Sequence, residues 1–167
     1  KDLSISQKYP ESVCFVGGGA VAYEYSQIMS AFGVKVYIIE HSSHLLPNTD
    51  LEVGDIAADT LTKLGVNVYT GAKPSEVGFS DNGKKFIIYT RQGRKYRLVI
   101  NEIIISPGKS PNLEIAPENA GIKYDSSGIK VNSLQQTNQK HIFSAGEVCG
   151  HNFTATGAIK ESLVAVH

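Results

Sequence analysis

A run of three glycines and one acid downstream of it are the residues in this sequence whose types and spacing promise chemistry. Gly17-Gly18-Gly19-Ala20-Val21-Ala22 reads G-x-G-x-x-A, and Glu40 stands 21 residues beyond Gly19. Glycines so spaced permit a tight turn and let backbone N–H groups approach a pyrophosphate at a helix N-terminus. The acid falls where a carboxylate accepts a hydrogen bond from an adenosine ribose 2′-OH. The chemistry implied is the holding of a dinucleotide. A glycine pattern alone would be weak support, since any tight turn uses the same residues, so the flanking elements decide.

Those elements agree with it. Ser12 to Val16 is a short β-branched and aromatic run that ends at the glycines, as a buried strand does. Val21, Tyr25, Ile28, Met29 and Phe32 then recur at helical spacing and predict an apolar face, with Gly33 placed to end the helix. Residues 34–39 form a second strand that closes on Glu40. A loop rich in turn formers follows at 41–48, and Thr49 and Glu52 stand in capping-box spacing before a second helix. Val53, Ile56, Ala57, Leu61 and Leu64 form its predicted apolar face, and Gly65 is its stop. Gly54 inside that helix costs about 1 kcal/mol relative to alanine. Residues 66–70 make a third strand, and this alternation of strand and helix implies a parallel sheet.

The pattern then changes. Segments 75–80, Lys85–Arg91 and 95–99 are strand-like, and Asn82-Gly83 and Gln92-Gly93 are turn signals, so an antiparallel three-stranded meander is predicted. Residues 102–106 read as a fourth buried strand. Short strands flank the turn Asp125-Ser126-Ser127-Gly128, residues 141–145 read as a last strand, and a helix carrying Ala158, Ile159, Leu163 and Val166 follows. Residues 1–10 are a polar lead-in ending in Pro10.

Composition sets the bounds. Sixteen basic and sixteen acidic residues give zero formal net charge, which argues against a nucleic-acid partner or an anionic membrane surface. No apolar run approaches transmembrane length. The two cysteines lie 135 residues apart, in no metal or C-x-x-C spacing, so a cytoplasmic setting is expected and no metal site is. Cys14 alternates within the first strand and reads as a buried, inert thiol, and Cys149 as structural. The sole methionine is Met29, so the chain is expected to be a piece of a longer protein. Tyr89, Tyr96 and Phe86 read as sheet packing. His41 and His44 would help a 2′-phosphate only when protonated, and loop histidines are mostly neutral at pH 7.

This order of parts resembles the pyridine nucleotide–disulfide oxidoreductases, a family that includes dihydrolipoamide dehydrogenase, glutathione reductase and mercuric reductase. Three separated motifs carry the resemblance over residues 8–150. They are Val16-Gly17-Gly18-Gly19-Ala20-Val21-Ala22-Tyr23-Glu24, the loop Ser106-Pro107-Gly108-Lys109-Ser110-Pro111-Asn112, and the segment 137–147 that ends in Gly146-Glu147. The fold implied is α/β: a Rossmann-like three-layer domain, its parallel sheet carrying helices on one side and an antiparallel three-stranded meander. By the resemblance, residues 1–136 are an NAD(H)-binding domain and 137–167 the return segment of an FAD-binding domain otherwise absent from this chain.

The resemblance also assigns roles. Gly17, Gly18, Gly19 and the amides near Ala20 and Val21 would face the pyrophosphate of NAD, and Glu40 with His41 the adenosine ribose. Gly108 would lie close to the cofactor. Glu24 would pair beneath the flavin with a lysine from the missing half, and Gly146 and Glu147 would hold the FAD ribityl chain. Partners implied are the missing FAD and dimerisation domains, in a homodimer of full-length chains; this piece alone would be inactive. Four departures stand out. Ala20 replaces a common aromatic gate, Lys109 a usual arginine, Glu147 an aspartate, and Thr156 the histidine frequent in lipoamide dehydrogenases. Glu40 and the lack of a nearby arginine favour NADH over NADPH and the dihydrolipoamide dehydrogenase branch. The alternatives are another branch (glutathione or mercuric reductase, soluble transhydrogenase, NADH oxidase) and a non-catalytic NAD(H)-sensing module.

Overall fold

Strand β1 (Ser12–Val16) sits inside a four-stranded parallel sheet of order β3-β2-β1-β7, built with β2 (Lys35–Ile39), β3 (Asn67–Tyr69) and β7 (Glu102–Ile105). The structure, a computed structural model, describes residues 9–167, so the lead-in read at 1–8 lies outside it. The backbone forms two units, one ending at Gly108 and one from Lys109 to His167.

In the first unit successive side chains of the parallel strands point to opposite faces of the sheet, and both faces are covered. Val13, Phe15, Val36 and Ile38 turn to one side, where Ala22 and Met29 of α1 (Ala20–Ala31) and Ala57 and Leu61 of α2 (Leu51–Lys63) cover them. Cys14, Tyr37 and Ile39 turn to the other, against Ile87 and Tyr89 of the meander β4 (Ala72–Phe79), β5 (Lys85–Arg91) and β6 (Arg94–Ile100). These are the three layers expected: helices, parallel sheet, antiparallel meander. The β5–β6 turn has Gln92 and Gly93 both at positive φ (50° and 73°), the backbone a two-residue hairpin needs. Tyr69, Tyr89 and Tyr96 stack across the sheets with centroids 5.6 and 5.3 Å apart, so they are packing groups. Burial pushes the Cys14 thiol up to about 12, which leaves it protonated and inert.

Of the predicted helix faces, Met29 in α1 and Ala57 and Leu61 in α2 turn inward, but small residues take the places of the other bulky ones. α1 buries Ala22, Ser26 and Met29, while Val21, Ile28 and Phe32 are exposed, Phe32 at 63 %. Small residues at i and i+4 let the helix approach the sheet closely, and periodicity counted on large side chains overlooks them. α2 buries Gly54, Ala57 and Leu61 and exposes Val53, Ile56 and Leu64. Gly54 is there for proximity, because a Cβ would come within 2.4 Å of His44 Nδ1 and of the Leu45 carbonyl. The capping box does not form. Asp50 holds the N-cap position without a side-chain bond, and the Thr49 hydroxyl donates instead to the Leu46 carbonyl at 2.8 Å.

The second unit is made of short pieces. A hairpin of β8 (Tyr124–Asp125) and β9 (Gly128–Ile129) flanks the predicted turn, and α3 (Ala155–Val166) is capped by Thr154, whose hydroxyl accepts from Gly157 N–H at 3.1 Å. The strand predicted at 141–145 is not one. Among the described residues a single bridge joins Phe143 to Gln136, and its bonds, Thr137 N–H to the Ile142 carbonyl and Ser144 N–H to the Gln135 carbonyl, are not continued into a ladder. Cys149 is buried, its Sγ 3.2 Å from Ser144 Oγ.

Candidate functional site at the carboxyl ends of the strands

From β1 the chain passes outward to β2 on one side and later returns to β7 on the other, so the strand order reverses at β1. Reversals of this kind open a crevice beyond the carboxyl ends of the strands. A cavity of about 570 Å³ lies there, lined by the 17–20 turn, by Glu40, His41 and Ser42, by residues 46–49 and by residues 106–108.

At two positions the turn has no room for a side chain. Gly17 has φ +106°, and a Cβ on it would stand 2.3 Å from the Ser106 carbonyl oxygen at the end of β7. On Gly18 a Cβ would meet Leu45 Cδ2 at 2.6 Å and Glu40 Cβ at 3.0 Å. Gly19 occupies the N-cap of α1, where no side chain satisfies the helix and no acid stands in the first turn. The first helical bond is from Tyr23 N–H to the Gly19 carbonyl, 3.0 Å, so the amides of Ala20, Val21 and Ala22 precede the ladder. Uncapped amides at the positive end of a helix, beside an open cavity, suit a phosphate group.

Glu40 is 5 % exposed and both its oxygens are engaged. Gly18 N–H donates to Oε2 at 2.5 Å and Ser42 N–H to Oε1 at 2.6 Å, with His41 Nδ1 3.3 Å from Oε1. Burial pushes this carboxyl up, but the bonds from Ser42, Gly18 and His41 outweigh it and hold it below the ordinary glutamate value. The acid is therefore ionised at neutral pH.

Of the residues singled out from the sequence, Gly17, Gly18, Gly19, Ala20, Glu40, His41 and Gly108 come together around this cavity. Val21 lies in the first turn of α1 without lining it. Glu24, one turn further along α1, is exposed and makes no ion pair among the described residues. In the second unit Gly146 N–H donates to Glu161 Oε2 at 2.6 Å, and Glu147 pairs with Lys109, which also donates to the Phe153 carbonyl. Glu147 Oε2 accepts no hydrogen bond among the described residues. Lys109 and Glu147, two of the four departures from the family pattern, thus meet each other. Sequence reasoning assigned no role to Ser106, which opens the second motif and whose hydroxyl donates to the carbonyls of Val16 (3.2 Å) and Gly17 (3.0 Å), and it passed over Ser42. Neither lies in the glycine motif; the signal they share is a place just past a strand's carboxyl end.

Sheet order, glycine turn and acid are those of the Rossmann-like α/β class. The chain belongs to the pyridine nucleotide-disulphide oxidoreductase family, which it matches over residues 1–166. It is 30% identical over 166 residues to a dihydrolipoyl dehydrogenase of Bacillus subtilis (strain 168), covering 99% of this chain and 36% of that protein. To a mercuric reductase of Staphylococcus aureus it is 28% identical, over 95% of this chain and 29% of that one. The HOCl-induced flavoprotein disulfide reductase RclA from Escherichia coli, solved as a Cu(II) complex, shares the fold. Its TM-score is 0.84 at 24% identity, over 97% of this chain and 37% of that one. The chain thus spans about a third of the length of these relatives. No helix among the described residues is long and apolar enough to cross a membrane.

Proposed function

We propose that this chain is the NAD(H)-binding domain of an FAD-dependent oxidoreductase of the dihydrolipoamide dehydrogenase kind. The observation that supports it most is the uncapped N-terminus of α1, opening on the cavity with ionised Glu40 across the turn. In this reading the amides near Ala20 and Val21 hold the pyrophosphate, and Gly17 and Gly18 let it come close. Glu40, with His41 beside it, accepts from the adenosine ribose, and Gly108 leaves room at the opposite wall. When bound, the cofactors supply hydride chemistry, from nicotinamide to flavin and on to a disulfide acceptor. Gly146 and Glu147 are the residues that would hold the flavin's ribityl chain, and Glu24 would pair beneath it with a lysine outside this chain. The domain boundary at 136/137, a homodimer of full-length chains and a cytoplasmic setting belong to the same proposal.

An ionised, buried Glu40 repels a 2′-phosphate, and all three arginines (Arg91, Arg94, Arg97) lie in the meander. Like-charge apposition in a partly buried site costs on the order of a few kcal/mol. Calorimetric titration with NADH and NADPH tests the reading. NADH is expected to bind more tightly; equal affinities, or tighter NADPH, would remove the NADH assignment, and no binding of either would remove the proposal.

A further inference from the structure

We infer that Glu40 is a positioning residue for the pyrophosphate turn, holding Gly18 in place before any nucleotide arrives. An acid needed only for ribose hydroxyls has its oxygens open to the cavity. Those of Glu40 are buried and each already takes a backbone N–H, Oε2 from Gly18 and Oε1 from Ser42. Its Cβ and Cγ fill the space where a Cβ on Gly18 would stand, at 3.0 and 3.1 Å. The Gly18 carbonyl is held from the same segment, accepting from Leu46 N–H at 2.8 Å. Gly18 is therefore gripped through both its N–H and its C=O by residues 40–46. Glu40 joins the turn after β1 to the loop after β2, and the uncapped amides of α1 start two residues further on.

The two functions make opposite demands on the side chain. Backbone N–H groups can only donate, so two of them facing one side chain require an acceptor at both of its ends. A ribose hydroxyl both donates and accepts, and tolerates a carboxamide. Glutamine at position 40 would thus still suit the ribose, but would turn an NH₂ group against the N–H of Gly18 or Ser42. A buried charge-assisted hydrogen bond of this kind is worth about tenfold to a hundredfold in an equilibrium.

The test is Glu40→Gln in this chain, with two measurements that involve no ribose. The first is amide hydrogen exchange at Gly18 and Ser42 in the ligand-free protein, and the second is affinity for inorganic pyrophosphate. We expect both amides to be protected in the wild-type chain, and their exchange to rise by about tenfold or more in the variant. Pyrophosphate affinity should fall with it. Unchanged exchange and pyrophosphate binding, with only NADH weakened, would make Glu40 a ribose contact alone and overturn the inference. Should the variant not fold, the wild-type measurement decides: exchange of Gly18 N–H at the free-peptide rate means that the tie does not exist. The pyrophosphate arm rests on the proposed function, whereas the exchange arm does not. Protected amides in a chain that binds no nucleotide would sink that function and leave the tie standing.

Discussion

In the unit that ends at Gly108, Phe15, Met29, Ile38, Leu61, Ile87 and Ile100 are fully buried, and every one of the largest fully buried side chains among the described residues lies there. From Lys109 to His167, Ile115, Leu134, Phe143, Ile159, Leu163 and Val166 are exposed. That unit is held instead by polar ties. Asn138 and Gln139 donate to the Gly121 carbonyl, Lys109 pairs with Glu147, and Lys130 holds the Asp125 carboxyl down to about 2. Apolar burial adds up with area, while exposed ion pairs contribute little. The comparison teaches that the first unit carries a buried apolar core as its driving force for folding, whereas the second buries no large apolar side chain completely and leans on polar ties.

Phe15→Ala should break the first unit. Removing a fully buried aromatic costs about 3–5 kcal/mol, read as a lower urea midpoint. A loss below about 1 kcal/mol would show that the parallel sheet is not where stability resides. Hydrogen exchange sharpens the contrast: amides of residues 13–16 should open only with global unfolding, and those of 142–145 by local opening. Equal protection in a demonstrated monomer would mean that the 142–145 segment has its proper home within this chain, against its assignment to a second domain.

Acid comes next in size. The carboxyl of Glu40 is held below its ordinary value in the folded chain. Its stabilisation is therefore fully present above the unfolded value of about 4.3 and is lost as pH falls through the folded one. Urea midpoints followed downward from pH 6 should drop more steeply for wild type than for Glu40→Gln, and parallel curves would contradict this. The smallest effect is reserved for Phe143→Ala, which should change stability by no more than about 0.5 kcal/mol. A cost near that of Phe15→Ala would erase the distinction between the units.

Much of the first unit was legible because its signals are local. The short apolar runs of β1 and β2, the glycine turn and the Gln92-Gly93 hairpin each follow from a few adjacent residues. The helix faces were read only in part, because several of the residues turned inward are small: Ala22, Ser26 and Gly54 look like background beside Val21, Ile28 or Ile56. Leu45 was hidden for the reverse reason, a fully buried side chain in a stretch that reads as loop. The segment at 141–145 has the composition of a strand, yet a strand is a property of pairs, and composition cannot supply the neighbour. At the site, the position of Glu40 was legible and its partners were not. Its bonds run to the amides of Gly18 and Ser42, and backbone groups leave no trace in side-chain identity.

Gly54 carries one more consequence. Because α2 lacks a side chain at that point, His44 and Leu45 lie directly on the helix, and His44 Nδ1 stands 2.8 Å from the Leu45 carbonyl. The loop that walls the cavity is thereby ordered in advance, and a ligand entering it has little chain entropy to remove. Binding should then show a heat-capacity change set by the ligand's own contact area, without the larger negative contribution that a loop folding around its ligand would add.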